Sequence, residues 1–336
     1  MEGYAASRKA EQVKDTAQTG HTQDQTSIVA VIDIGSTAVR MVIAQLDGDG
    51  SWKRLDRAGK PVGLGRDVFM SGYLSRDSIR QTIRILQGFR ELLDGWKVDV
   101  SEVRAIATSA IREAKNRDAF LDRVLIRTGI RVQVVEGVEE NHLTYLAVQH
   151  AVSSMRPQFS RSNALIIEVG GGTSEVMMLN RGKMVAAHSL RLGTVRIEQQ
   201  LAPSADSEQY LEDYLRENIR ATREIFTAEM PLSRVKFFVA VGGDARLAAT
   251  AAGKKAAEQF SVIERADFEA FVAGLQGSAV DDLVRELGVT YNEAEGLVPA
   301  LLVYRTFLEA TNATQLIVPD VSIREGILMS LALGDD

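Results

Sequence analysis

The sequence predicts an α/β protein built as two similar lobes that face a shared cleft. Three observations carry this reading. The chain has 336 residues, long for a single hydrophobic core. Strand-like runs alternate with helical stretches, an order that gives mixed sheets with helices on their faces. One Gly/Ser/Thr turn is written twice. It stands first in SIVAVIDIGSTAVRMVIAQLDG, residues 27–48, and again in NALIIEVGGGTSEVMMLNRGK, residues 163–183. Each copy has an apolar run, an acid (Asp33, Glu168), an apolar residue, glycine with small or hydroxyl residues, and a second β-rich run. Laid side by side, Asp33-Ile34-Gly35-Ser36-Thr37 matches Glu168-Val169-Gly170-Gly171-Gly172-Thr173 with one extra glycine. A tight turn of this kind aims several backbone N–H groups at one point, which a phosphate can fill. The acid at the strand end suits a Mg2+ ion accompanying that phosphate.

The elements follow in order. Residues 1–26 are polar and aperiodic, without the apolar core of a secretory signal, and read as a flexible tail. Strands 28–34 and 38–46 precede a glycine-rich strand or loop, WKRLDRAGKPVGLGRDV. A helix then presents Ile79, Ile83, Leu86 and Leu93 on one face, with Ser75 as its N-cap. Strand 103–108 leads into a stretch helical from Arg117 and closed by Gly129. Strand 130–137 meets a helix whose first turn carries Glu139 and Glu140. The second half repeats the plan with a hairpin over 164–191 and a long helix around 207–229, with Tyr210, Tyr214 and Ile225 among its apolar positions. A buried strand, VKFFVAV, then runs into Gly242-Gly243 and a helix opening at Asp244. Helices near 265–275, 279–287 and 293–311, a strand over 314–319 and a last helix in VSIREGILMSLAL complete the chain.

Composition excludes several classes. There is no cysteine, so disulfides, thiolate catalysis and zinc–thiolate sites are out. The four histidines are scattered, an arrangement unsuited to a histidine metal cluster. A net charge of −6 argues against a general nucleic-acid binder. No apolar stretch reaches the roughly 20 residues that span a bilayer, so a cytoplasmic protein without a membrane partner is expected. A homodimer is compatible with the sequence.

At this point the segments IDIGSTAVRMVI, ATSAIREA, VVEGVEENHL, EVGGGTSE, VGGDARLAA and SIREGIL together resemble the exopolyphosphatase/guanosine pentaphosphate phosphohydrolase family. The resemblance runs from about residue 27 to 333. It implies the actin-like (ribonuclease H-like) superfold, with two lobes, each a mixed five-stranded sheet flanked by helices, and an interlobe cleft. Domain I would span 27–145 and recover the C-terminal helix 321–336; domain II would span 146–320. The implied activity is Mg2+-dependent release of terminal phosphate from inorganic polyphosphate, guanosine pentaphosphate, or both.

The same resemblance assigns roles to individual residues. Glu140 is implied as the base that activates water, although acids at 139 and 140 also suit a helix N-terminus for its dipole. Arg112 is implied to face the phosphates with its fork. Asp33, Glu168 and Glu175 are implied as the Mg2+-associated acids; Asp33 could equally cap its own turn. Gly35, Ser36 and Thr37 with Gly170, Gly171, Gly172 and Thr173 form the implied phosphate cradle. Gly242 and Gly243 fit either the distal end of the cleft or a plain strand-to-helix turn. The chain departs from the family pattern at Thr37, Ala38, Arg66, Asn141, His142, Ser322 and Glu168, where the family has Asp. Two further functions stay open: a non-catalytic sensor of polyphosphate or a guanosine alarmone, and an ATPase or kinase of the superfold with a nucleotide pocket at Gly242–Gly243.

Overall fold

The computed structural model describes residues 26–201, 213–218, 220, 226 and 230–334. The expected tail lies outside these residues apart from its last position. So do Tyr210, Ile225 and most of the helix expected around 207–229; residues 213–218, with Tyr214, are helical.

The first half opens with strands β1 (Ser27–Ile34), β2 (Ala38–Leu46) and β3 (Trp52–Pro61). Helices α1 (Leu64–Ser71) and α2 (Arg76–Trp96) follow, then β4 (Val103–Ala107), α3 (Ser109–Glu113), α4 (Arg117–Thr128), β5 (Val132–Val134) and α5 (Gly137–Ala151). The five strands form one sheet in the order β3-β2-β1-β4-β5, with β1, β4 and β5 parallel. Period-two alternation splits its apolar residues between two faces. Ala30, Ile32, Ile34, Met41 and Ile43 pack under α2 and α4 against Leu86, Phe89 and Phe120. Val29, Val31, Val42 and Ala44 pack on the opposite face with Leu143 of α5 and the C-terminal helix.

The second half adds α6 (Arg156–Phe159), β6 (Asn163–Val169), β7 (Ser174–Asn180), β8 (Lys183–Leu190) and α7 (Thr194–Leu201). It continues through β9 (Val235–Val241), α8 (Gly243–Ala252), β10 (Lys254–Ala257), β11 (Phe260–Glu264), α9 (Arg265–Leu275) and α10 (Val280–Leu287). Helix α11 (Tyr291–Glu309), strand β12 (Gln315–Pro319) and helix α12 (Ile323–Leu333) end the chain. This sheet has seven strands rather than the expected five, in the order β10-β11-β12-β9-β6-β7-β8. The five expected strands are there; the hairpin β10–β11 extends the edge beyond β12. Its sequence, KKAAEQFSVIE, lacks a Gly turn signal and carries lysines on its outer strand, which protect an edge while hiding it from pattern reading.

Helix α5 is shared between the two sheets. Its Leu143 belongs to the core of the first sheet, while Ala147, Val148 and Ala151 belong to that of the second. Helix α12 lies across α5 at Gly326, where an added Cβ would sit 2.1 Å from the Leu143 carbonyl oxygen. Two local expectations hold closely: Ser75 accepts a hydrogen bond from the Ser78 N–H as N-cap of α2, and Gly129 ends α4 with φ 71°.

Candidate functional site

The two turns are equal in length, not offset by a glycine. Gly35 N–H bonds Ala38 O at 3.0 Å and Gly170 N–H bonds Thr173 O at 2.9 Å. The strand registers continue those pairs, with Asp33 opposite Arg40 and Glu168 opposite Glu175. Ser36 and Thr37 therefore correspond to Gly171 and Gly172, and Ala38 to Thr173. The sequence alignment followed hydroxyl chemistry, whereas hairpin pairing counts residues.

The duplication also runs further than the sequence reading took it. Each hairpin continues into a third strand and an eight-residue helix, α1 or α7. In both copies that helix holds the carbonyls of its own turn. Gly65 N–H in α1 bonds Ser36 O at 2.8 Å, and Val62 N–H just before the helix bonds Thr37 O at 2.9 Å. Thr194 and Val195 N–H bond Gly170 and Gly171 O, both at 3.0 Å. Helix α1 went unrecognised because its eight residues include only a short amphipathic stretch opened by Gly63-Leu64-Gly65.

Across the cleft the turns touch. A Cβ on Gly171 would lie 3.0 Å from Ser36 Cβ and from Thr37 Cγ2, and one on Gly172 would lie 2.4 Å from Phe69 Cζ and Ser109 Oγ. Glycine is thus required by close approach. Ser36 Oγ and Ser109 Oγ share a hydrogen bond at 3.1 Å. Among the described residues, the N–H groups of Gly171, Gly172 and Thr173 donate to no backbone carbonyl.

Beside the turns, one face of α5 organises the acids. Glu140, in its first turn, accepts a hydrogen bond from Arg112 Nη1 at 2.6 Å; the same nitrogen donates to Val135 O at 2.6 Å. Asn141 Nδ2 donates to Glu175 Oε2 at 2.8 Å, and Thr144 Oγ1 to Glu168 Oε2 at 2.6 Å. Ser189 Oγ donates to the other oxygen of Glu175 at 2.6 Å. Asp33 lies 3.8 Å from Arg324 Nη1. The helix thus reaches three carboxylates through residues 140, 141 and 144.

Burial raises the pKa of all four acids. Glu140 is pushed up to about 8, first by loss of water and then by the charge of Glu175, against the pull of Arg112. Glu175 is pushed up to about 7, again chiefly by burial. Glu168 and Asp33 are raised by burial too, with Asp33 adding to the effect at Glu168. Negative charges crowded out of water favour protons or a cation. The Asn141 Oδ1 acceptor is buried among them with no donor, so the donor set fits a hard, oxygen-seeking cation. No three His, Asp or Glu side chains among the described residues converge to hold a metal by themselves. Mg2+ commonly takes one or two carboxylates and completes its shell with phosphate and water.

The third loop has different surroundings. Gly242, at φ +134°, caps α8, and a Cβ there would lie 3.0 Å from Tyr304 Oη. Tyr304 Oη donates to Val241 O at 2.6 Å and accepts from Val169 N–H at 3.3 Å, tying the ends of β9 and β6. Beside the loop stand acids that sequence reading did not single out. Asp244 and Glu198 are each pushed up to about 7 by burial, and Glu295 adds to the effect at Glu198. Arg246 of α8 and Arg40 act on Asp244 in the opposite sense, so acids and cations share the surroundings of Gly242 and Gly243. Those two arginines belong to a larger cationic feature. A cavity of about 330 Å³ is lined by Arg40, Arg54, Arg57, Arg246 and Arg324. Sequence reading missed it because β2, β3, α8 and α12 bring those arginines together from distant segments.

A model of the Ppx/GppA phosphatase family matches residues 42–334. The crystal structure of the Aquifex aeolicus member of that family is 27% identical, covers 93% of this chain and 99% of that one, and superposes with a TM-score of 0.72. An exopolyphosphatase from Cytophaga hutchinsonii shares the fold at a TM-score of 0.83 and 20% identity, over 92% of this chain and 99% of that one. Exopolyphosphatase 1 of Mycobacterium leprae is 24% identical over 90% of this chain and 88% of its own length. A bifunctional 3-dehydroquinate synthase/phosphatase of Fusobacterium nucleatum is 28% identical over 57% of this chain, a match that takes in only 30% of that longer protein. The expected two actin-like lobes are the fold these structures share.

Proposed function

The chain belongs to the Ppx/GppA phosphatase family, and on that premise we propose that it is a phosphoanhydride hydrolase. It would release terminal phosphate from inorganic polyphosphate, guanosine pentaphosphate, or both. The observation that carries this reading is the Arg112–Glu140 contact at 2.6 Å beside two matched turns, one of which leaves three N–H groups without backbone acceptors.

The terminal phosphate sits against Gly171, Gly172 and Thr173 on one side and Ser36 and Thr37 on the other. Gly35 and Gly170 serve differently, since their N–H groups close their own turns. Arg112 places its guanidinium on the phosphate oxygens as charge builds in the transition state. Glu140 takes the proton of the attacking water. Its pKa, pushed up to about 8, makes it a stronger base than an ordinary carboxylate while leaving part of it ionised near neutral pH. Asp33, Glu168 and Glu175, with Asn141 Oδ1, are the groups that would hold Mg2+, which when bound neutralises phosphate charge. Most of the catalysis then comes from positioning and charge stabilisation, as in other phosphoryl transfers. The arginine cavity offers cationic side chains to the rest of a polyanion.

The test is phosphate release from polyphosphate and from guanosine pentaphosphate with Mg2+, comparing wild type with Glu140→Gln. Removal of a general base should lower turnover about 10²–10⁴-fold at unchanged fold. Tight binding without turnover would instead establish the sensor reading. Calorimetric titration with Mg·ATP separates the kinase or ATPase reading from the other two.

A further inference from the structure

We infer that Arg196 is a positioning residue that orients the second phosphate turn and couples that orientation to closure of the lobes; this rests on the phosphate reading of the turn given above. Three successive carbonyls of the turn point to the start of α7. Those of Gly170 and Gly171 are taken by the N–H groups of Thr194 and Val195. The third, of Gly172, is taken by a side chain instead, Arg196 Nε at 2.8 Å. In a planar peptide the C=O of one residue and the N–H of the next point in opposite directions. Holding carbonyls 170, 171 and 172 on α7 therefore sends N–H groups 171, 172 and 173 the other way, as an anion-binding nest requires. Arg196 fixes the last of the three.

The same side chain crosses to the first lobe. Its guanidinium donates to Glu113 Oε1 at 2.5 Å and lies 3.9 Å over the Phe69 ring. Glu113 ends α3, next to Arg112, and also accepts from Arg191 at 2.7 Å. Phe69 and Ser109, also from the first lobe, wedge against Gly172. The Arg196 side chain is only 15% exposed, so its charge-assisted bonds are made largely out of water, where they are strong. One guanidinium thus joins the turn that would hold phosphate to the helix that positions Arg112. If the lobes separate, Glu113 and Phe69 leave Arg196, and the Gly172 peptide loses its constraint.

Kinetics and a distance measurement test this together. Loss of positioning should lower kcat/KM of Arg196→Met on polyphosphate by about 10²-fold, mainly in kcat, with little change in melting temperature. Glu113→Gln should cost less, and the double variant no more than Arg196→Met alone, because both act through one linkage. Arg196→Lys should recover only part of the loss, since an ammonium lacks the planar fork that serves two acceptors and stacks on a ring. Should Arg196→Met fail to fold, Arg196→Lys and Glu113→Gln carry the kinetic test.

The chain has no cysteine, so Ile126→Cys and Lys255→Cys on exposed sites of opposite lobes accept spin labels without background. Pulsed dipolar spectroscopy should give a narrow distance distribution in the otherwise wild-type protein and a broader one when Arg196→Met is added. Wild-type kinetics in Arg196→Met, independent costs for the two substitutions, or an unchanged distribution would overturn the inference. A wild-type protein that neither binds nor hydrolyses polyphosphate or guanosine pentaphosphate sinks the phosphate reading instead, while the distance measurement still decides the coupling.

Discussion

Glu140 shows how one carboxylate is set apart from its neighbour. Glu139 and Glu140 share the first turn of α5, but Glu140 is buried against Arg112 and near Glu175, while Glu139 reaches out to Gln133. Burial makes Glu140, Glu175, Glu168 and Asp33 hold protons in the folded state that the unfolded chain releases. Stability from these groups is therefore full below the ordinary carboxyl values of 4.5 for glutamate and 3.8 for aspartate. It is lost as pH rises through the folded values of about 7 for Glu175 and about 8 for Glu140. The melting temperature of the metal-free protein should fall between about pH 5 and about pH 9 on this account. Saturating Mg2+ should offset the fall at the alkaline end, where ionised carboxylates bind it best. A melting temperature that ignores Mg2+ at alkaline pH would count against the four-acid cluster as the metal's place.

Two contacts decide whether the elements meet correctly. At Gly326, α12 crosses α5 so closely that Gly326→Ala would drive a methyl to 2.1 Å from the Leu143 carbonyl. Backbone cannot yield there without moving a helix, so a loss of about 1–3 kcal/mol is expected, with activity falling because α5 carries Glu140. A thermal melt and a phosphate-release assay check both. At Tyr304, one hydroxyl joins the ends of β6 and β9 from within α11. Tyr304→Phe leaves the Val241 carbonyl and the Val169 amide without that partner, which should cost about 1–3 kcal/mol, readable as a lower urea midpoint at unchanged slope. Helices α1 and α7 belong to this scale too. Each turns its N-terminal amides on the carbonyls of its own hairpin, so each phosphate turn is a β-β-β-α unit rather than a hairpin alone.

At the scale of the whole molecule, α5 and α12 tie the two sheets together. We propose that the lobes span residues 27–145, with α12, and 146–320, and that they rotate about the middle of α5 and the 319–324 segment. The division falls between Leu143, which packs on the first sheet, and Ala147, which packs on the second. Closure would bring Arg196 to Glu113 and Phe69, and Arg66 to Glu295. The Arg66–Glu295 contact should weaken in high salt, since Arg66 is half exposed. Saturating polyphosphate should then narrow the interlobe distances that salt broadens, which the same spin-label pair reads.

The sequence by itself determined the two-lobe plan, the paired turns and the acids at their strand ends. These are local patterns: period-two apolar runs, glycines where backbone approaches backbone, and a carboxylate at a fixed offset. Glu140 and Arg112 are singled out only by the resemblance of several segments taken together, since an acid in a first helical turn and a helix arginine have plainer readings on their own. Only the tertiary structure decided that the turns are equal in length, because register is settled by pairing. Only it decided that Asn141 and Thr144 serve Glu175 and Glu168, that five arginines line one cavity, and that two of them act on Asp244. Those groups come from segments far apart in the chain, and their chemistry depends on burial, which no short stretch of sequence records. Arg196 is the clearest case: no motif marks it in the sequence, and packing alone gives it three partners.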